Sequence, residues 1–217
     1  LTVGKIAKER LVTDPENTAQ LFKRSMGTNE IFYLDGEAFS ATDLSTLVVK
    51  QLVADAESYL GEKVDEVLIS VPAYFNEKQR SATKAIGQRL GIKVERLINE
   101  PSAAAIACHK IGKDESFIVF DFGGGTLDVS VVDCFDNVIS IVSIAGDNFL
   151  GGSDFDKDIA EDFCQSQGID LEKLDTKQKS SLLLSSERCK LKLQKEKLAA
   201  VSLTYDDQYY MKQYTQA

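Results

Sequence analysis

Hydrophobic positions along this chain follow two successive patterns. Between residues 40 and 107, helical spacings alternate with short apolar runs. Leu44, Leu47, Val48, Leu52, Tyr59 and Leu60 predict an amphipathic helix, capped by Ser40 or Thr42 and stopped by Gly61. Residues 66–71 read as a strand closed by Pro72. Asn76, with Gln79 three residues later, makes a capping box for a helix to about Leu90, which Gly91 stops. Residues 94–98 form another strand, and Asn99-Glu100-Pro101 opens a helix with proline in its first turn. Strand, helix, strand, helix is α/β grammar. From Phe117 the pattern switches to successive strands at 117–121, 127–133 and 138–145. After a glycine-bearing loop at 146–152, Ser153 reads as the cap of a helix with Phe155, Ile159 and Phe163 on one face. A charged amphipathic helix over 176–195 follows, then a hairpin, 201–205 with 209–214, around Asp206-Asp207. Residues 1–40 lack long periodicity; a short helix or turn at 21–26 and a hairpin around Asp35-Gly36 stand out. A composition shift near Gly168 marks a further subdomain.

The run from Phe120 to Asp133, FDFGGGTLDVSVVD, interrupts this pattern most sharply. A hairpin needs only one or two residues that tolerate positive φ. Gly123, Gly124 and Gly125 in succession also strip side chains from the turn, so backbone N–H groups can approach an anion. Asp121, just ahead of the turn, is placed to hold a hydrated divalent cation beside that anion. The same residues also fit an ordinary glycine-rich hairpin.

Composition narrows the classes. The chain has 217 residues, 43% apolar and 27% charged, an ordinary globular profile. A net charge of −9 disfavours nucleic acid or an anionic membrane as partner. Cys108, Cys134, Cys164 and Cys189 lie far apart with no CxxC and read as reduced thiols, mostly buried. His109 is the lone histidine, which argues against a His/Cys metal cluster or a Ser-His-Asp triad. No apolar run spans a bilayer and no signal segment is evident, so a cytoplasmic setting is the expectation. The opening at Leu1 and the end just after a strand suggest a piece of a longer protein.

Four strings together carry a resemblance: VPAYFNEKQRSATKAIG (71–87), RLINEPSAAAIA (96–107), FDFGGGTLDVSV (120–131) and AGDNFLGGSDFD (145–156). In this order and spacing they resemble the nucleotide-binding domain of the DnaK-type heat shock protein 70 chaperones. The stretch 3–29 looks most like the HscC branch. The resemblance implies an α/β, actin-like ATPase (ribonuclease H-like) fold, present as an incomplete two-lobed domain. Residues 1–112 would belong to lobe I and 113–217 to lobe II, with a helix-plus-hairpin subdomain after about residue 167.

It also implies roles. Lys23 would be the catalytic lysine that orients the attacking water and offsets charge on the γ-phosphoryl; by its residue type alone it is equally a surface lysine. Glu100 would position water near the metal, and it is also an acid favoured at a helix N-terminus. Asp121 and Asp128 would hold hydrated Mg2+, Asp128 through water, although Asp128 also reads as a solvent-facing strand residue. Gly123, Gly124, Gly125, Thr126 and Gly152 would lie at the phosphates of ATP or ADP. Glu187 and Lys190 would hold the adenosine. Pro72 and Arg80 would relay nucleotide state, and Arg96 would dock a J-domain co-chaperone. A nucleotide-exchange factor and unfolded peptide, the latter through a domain absent here, are the other implied partners. Ser153 departs from an acidic residue common after LGG, and Leu191 from an arginine that stacks on adenine. Those departures keep open a non-hydrolysing, partner-docking module; a sugar kinase of the same broad fold is a remoter alternative.

Overall fold

The computed structural model describes residues 2–108, 113–136 and 138–216. The lone His109 and the expected lobe boundary at residue 112 lie outside them. The chain divides into two compact units: Leu21–Phe149, and the residues up to Gln20 together with those from Leu150 onward.

The first helix, α1 (Lys5–Thr13), has no counterpart in the sequence pattern. It buries no residue fully, so it carries little amphipathic signal.

In the central unit, β1 (Ile31–Leu34) and β2 (Glu37–Ser40) form the expected hairpin, with Asp35 at φ 52° and Gly36 at φ 79°. Two left-handed residues are what a tight hairpin turn requires. Ser40, not Thr42, caps α2 (Ala41–Leu60): its hydroxyl accepts from the Asp43 N–H at 3.1 Å, and the Asp43 carboxylate accepts from the Ser40 N–H at 2.8 Å. The Ser40 hydroxyl, followed by Arg89, holds the Asp43 carboxyl below its ordinary pKa.

Strand β3 (Ile69–Val71), helix α3 (Glu77–Leu90) and strand β4 (Leu97–Asn99) make a parallel βαβ unit. Both strands are shorter than the apolar runs predict; Glu66 and Lys93 contribute only an isolated bridge. Asn76 and Gln79 do form the capping box on α3. Gly87 permits close packing there, since a Cβ would lie 2.4 Å from Val94 Cγ2. Met26, Ala41, Val71, Phe75 and Ile86 form this core.

After α4 (Glu100–Cys108) come the antiparallel strands β5 (Glu115–Phe122), β6 (Leu127–Phe135) and β7 (Val138–Asp147), in that spatial order. Strand β6 alternates strictly, with Asp128, Ser130, Val132 and Cys134 buried. Ala105 of α4 packs into the core of Val132 and Cys134 on that face.

In the other unit, α5 (Gly152–Gln167) has its cap position at Gly151, not at Ser153. Glycine offers no capping side chain, so Asp154 does the local work: its carboxylate accepts from the Gly151 N–H at 2.9 Å. Helix α6 (Thr176–Leu193) is capped by Asp175. Strands β8 (Leu198–Tyr205) and β9 (Gln208–Thr215) form a hairpin whose turn residues, Asp206 and Asp207, both have positive φ. Phe163, Leu182 and Val201 are wholly buried at the centre of this unit, beside Cys164 and Cys189.

Candidate functional site

A cleft of about 250 Å³ opens within the central unit. Five separate segments line it, among them Asn148 and Phe149 just after β7. The 3-10 turn Phe22–Ser25 presents Lys23 and Arg24. The bend after Pro72 presents Tyr74 and Phe75, and the start of α4 presents Glu100. The β5–β6 turn supplies Asp121, Gly123, Gly124, Gly125 and Thr126.

None of the three glycines of that turn sits in the left-handed region. Backbone conformation therefore does not demand glycine. A Cβ at Gly124 would meet nothing within 4 Å, and one at Gly123 only Thr126 at ordinary contact distance. Gly123 and Gly124 supply an unobstructed floor, the property a close-approaching anion needs, whereas at Gly125 a Cβ would crowd Arg24 and Leu21. One expected role changes. The Gly123 N–H donates to the Thr126 carbonyl at 2.9 Å, closing the turn. Gly123 thus shapes the floor and is not available there as an anion donor.

The charges converge on this floor. Lys23 Nζ donates to Glu100 Oε1 at 2.8 Å. Asp121 and Asp128 stand directly opposite each other on β5 and β6. Facing like charges across a strand pair are destabilising and disfavour the ionised form of each other. Burial first, then Glu100 and Asp121, raise the Asp128 carboxyl above its ordinary value; the Thr126 hydroxyl and Lys23 oppose this. Asp128 is only 8% exposed, so the solvent-facing alternative does not hold. Among the described residues, no three His, Cys, Asp or Glu side chains could together ligate a metal directly. The donor set suits Mg2+, which keeps most of its waters and is bound through few carboxylates plus phosphate.

This electrostatic arrangement has a measurable consequence. A carboxyl whose pKa is raised on folding is penalised when ionised. The penalty is full above the folded-state pKa and fades as pH falls through it toward the ordinary 3.8. Asp128→Asn is therefore expected to stabilise the Mg2+-free protein at pH 7, with the gain shrinking as pH is lowered into the carboxylate range. Urea titrations across that range check it; a loss of stability at pH 7 would contradict it.

Tyr74 and Arg24 are among the residues of the cleft that escaped the sequence reading. Tyr74 lines the cleft, and its hydroxyl is pushed up to about 12, by burial first and then by Asp128, with Thr126 opposing the shift. Arg24 Nε donates to the Gly125 carbonyl at 2.9 Å, Nη2 reaches the same oxygen, and the guanidinium lies 5.8 Å from the centre of the Phe149 ring. The signal for both was adjacency alone: Tyr74 follows Pro72 by two residues and Arg24 follows Lys23.

The remaining expected residues lie elsewhere. Pro72 is fully buried. Arg80 donates to the carbonyls of Phe75 at 2.9 Å and Ala73 at 3.2 Å, and to Asn99 Oδ1 at 2.8 Å. It thereby ties the bend carrying Tyr74 to the residue preceding Glu100. Arg96 is exposed. Gly152, Glu187 and Lys190 fall in the other unit and do not line this cleft. There, Lys190 Nζ lies 2.7 Å from Asp156 Oδ1 and donates to the Gly152 carbonyl at 2.5 Å, while Glu187 pairs with Lys8 at 2.5 Å. Burial raises the Asp156 carboxyl, and Lys190 opposes that shift. Leu191 is half exposed.

Among the described residues, no helix is long and apolar enough to cross a membrane. A family model described as Hsp70 protein matches residues 29–215, from β1 to the last residue of β9. Lys23 and Arg24 precede the matched span. With most of its length matched, the chain belongs to the Hsp70 protein family.

Proposed function

We propose that this chain is the ATP-hydrolysing part of a chaperone of the HscC branch, cutting ATP to ADP and phosphate and gating peptide binding by an adjoining domain. Members of the family are ATPases of the actin-like fold, and the α/β units with small sheets agree with that. The observation that carries the reading is the meeting of Lys23, Glu100, Asp121 and Thr126 around an open glycine floor in one cleft.

The chemistry follows from that geometry. Phosphoryl transfer needs positioning and charge stabilisation rather than a covalent nucleophile. Residues Gly124, Gly125 and Thr126 border the space for the phosphates, with Gly123 shaping the turn. Lys23 offsets charge developing on the γ-phosphoryl oxygens and orients the attacking water. Glu100, held by Lys23 at 2.8 Å, orders water beside it. Asp121 and Asp128 would hold hydrated Mg2+, which supplies charge neutralisation at the phosphates. Tyr74 supports the site through Thr126.

Residues 1–112 are proposed as part of lobe I and 113–217 as part of lobe II. Gly152, Glu187 and Lys190 are proposed nucleotide contacts of the latter, Glu187 and Lys190 at the adenosine. Pro72 and Arg80 are proposed for coupling; Arg80 suits it, because it joins the Tyr74 bend to the start of α4. Arg96, being exposed, suits a J-domain contact. A nucleotide-exchange factor, unfolded peptide and a cytoplasmic stress-response setting complete the reading.

Calorimetric titration of Mg-ADP and Mg-ATP into the full-length protein, with turnover measured alongside, tests it. Tight binding with slow hydrolysis is expected. Binding without turnover would favour the non-hydrolysing, partner-docking reading, toward which the half-exposed Leu191 leans. No binding would overturn the nucleotide reading altogether.

A further inference from the structure

Lys23 sits on a single 3-10 turn of four residues, Phe22–Ser25. Such a turn has few internal hydrogen bonds and cannot by itself hold a long side chain in place. One end is anchored by Met26, 3% exposed in the core, with the Ser45 hydroxyl 3.3 Å from its sulfur. Within the turn itself, Arg24 supplies a second anchor. Two of its guanidinium nitrogens donate to one oxygen, the Gly125 carbonyl, and the same guanidinium stacks toward Phe149. The contact is also sterically close: a Cβ at Gly125 would lie 3.1 Å from Arg24 Nε and 3.3 Å from Leu21 Cδ2. Leu21, at the head of the turn, holds a left-handed backbone at φ 58°, uncommon for leucine. The turn carrying Lys23 is thus clamped directly onto the glycine floor.

We propose that Arg24 is a positioning residue for ATP hydrolysis, setting the distance between the Lys23 ammonium and the Gly123–Gly125 floor by its clamp on the Gly125 carbonyl. The proposal rests on the ATPase reading. It assigns Arg24 no contact with the reacting atoms: Arg24 acts through Lys23. Lysine cannot replace it fully, because a planar fork places two donors on one acceptor while an ammonium offers a single head.

The test is steady-state and single-turnover ATP hydrolysis by the full-length protein carrying Arg24→Ala, Arg24→Lys, Lys23→Ala or Arg24→Ala with Lys23→Ala. Misplacing a catalytic group by about 1 Å costs on the order of 10²-fold, so Arg24→Ala should lower kcat by roughly that factor, with KM for ATP nearly unchanged. Because Arg24 works through Lys23, adding Arg24→Ala to Lys23→Ala should cost less than about threefold more. Arg24→Lys should fall between, with its melting temperature preserved. If Arg24→Ala does not fold, Arg24→Lys carries the test, and an unchanged kcat in that variant overturns the proposal. Losses that multiply in the double variant overturn it, as does wild-type kcat in Arg24→Ala. If the unsubstituted protein binds no nucleotide or turns none over, the ATPase reading fails and this assignment falls with it.

Discussion

Lys23→Ala in the full-length protein is expected to lower kcat for ATP hydrolysis by about 10²–10³-fold, on the order of 3–4 kcal/mol of transition-state stabilisation. The size follows from removing one preorganised charge where negative charge develops. The same substitution should scarcely move the melting temperature. Lys23 pairs with Glu100 at 2.8 Å, but its side chain is 54% exposed, and ion pairs of that kind are worth at most about 1 kcal/mol. The two readouts therefore separate. Lost turnover with an unchanged melt places Lys23 in the chemistry. Unchanged single-turnover rate would leave Lys23 as a surface lysine and remove it from the proposed mechanism. The position carries particular weight because it precedes the residues matched by the family model, so its support is the local sequence resemblance and the geometry of the cleft.

The largest stability effect is expected from Phe163→Ala, at about 3–5 kcal/mol. Phe163 is wholly buried on α5, in the core that joins α5 and α6 to the β8–β9 hairpin. Leu182 and Val201, likewise wholly buried, line the same core, so truncation opens a cavity walled by side chains already in place. A two-stranded hairpin is marginal alone and depends on helix packing for its stability. The checks are the urea midpoint and amide exchange in α5, α6, β8 and β9, which should quicken together. A cost below about 1 kcal/mol would mean that the site collapses around the smaller side chain or that this core is not packed as described.

Much of this architecture was legible in the chain because its signals are local. Asn76 with Gln79, Asp35-Gly36, Asp206-Asp207 and the glycines after α2 and α3 each act within a few residues, and each sits where its chemistry predicts. Helix α1 was not legible, because it carries no apolar stripe. Ser153 was misread because a good capping residue happens to stand two positions beyond the cap, while Gly151 has no side chain to announce itself. The apolar runs at 66–71 and 94–98 overstated their strands, since periodicity reports which residues face the interior and not where a pairing partner ends.

The sequence by itself determined the kind of protein: the α/β order, the switch to antiparallel strands at Phe117, and the glycine turn flanked by Asp121 and Thr126. Its four strings were enough to point to the Hsp70 family. Only the tertiary structure decided which residues meet. Lys23 and Glu100 are 77 positions apart and Arg24 and Gly125 are 101, distances over which no periodic or capping signal extends. The confrontation of exposed Asp121 with buried Asp128 arises from strand register, and the openness of the floor at Gly123 and Gly124 from what their neighbours leave vacant. Local chemistry can be written into a few adjacent residues. A site assembled from five segments exists only once the chain has folded, because packing and not sequence proximity brings its charges together.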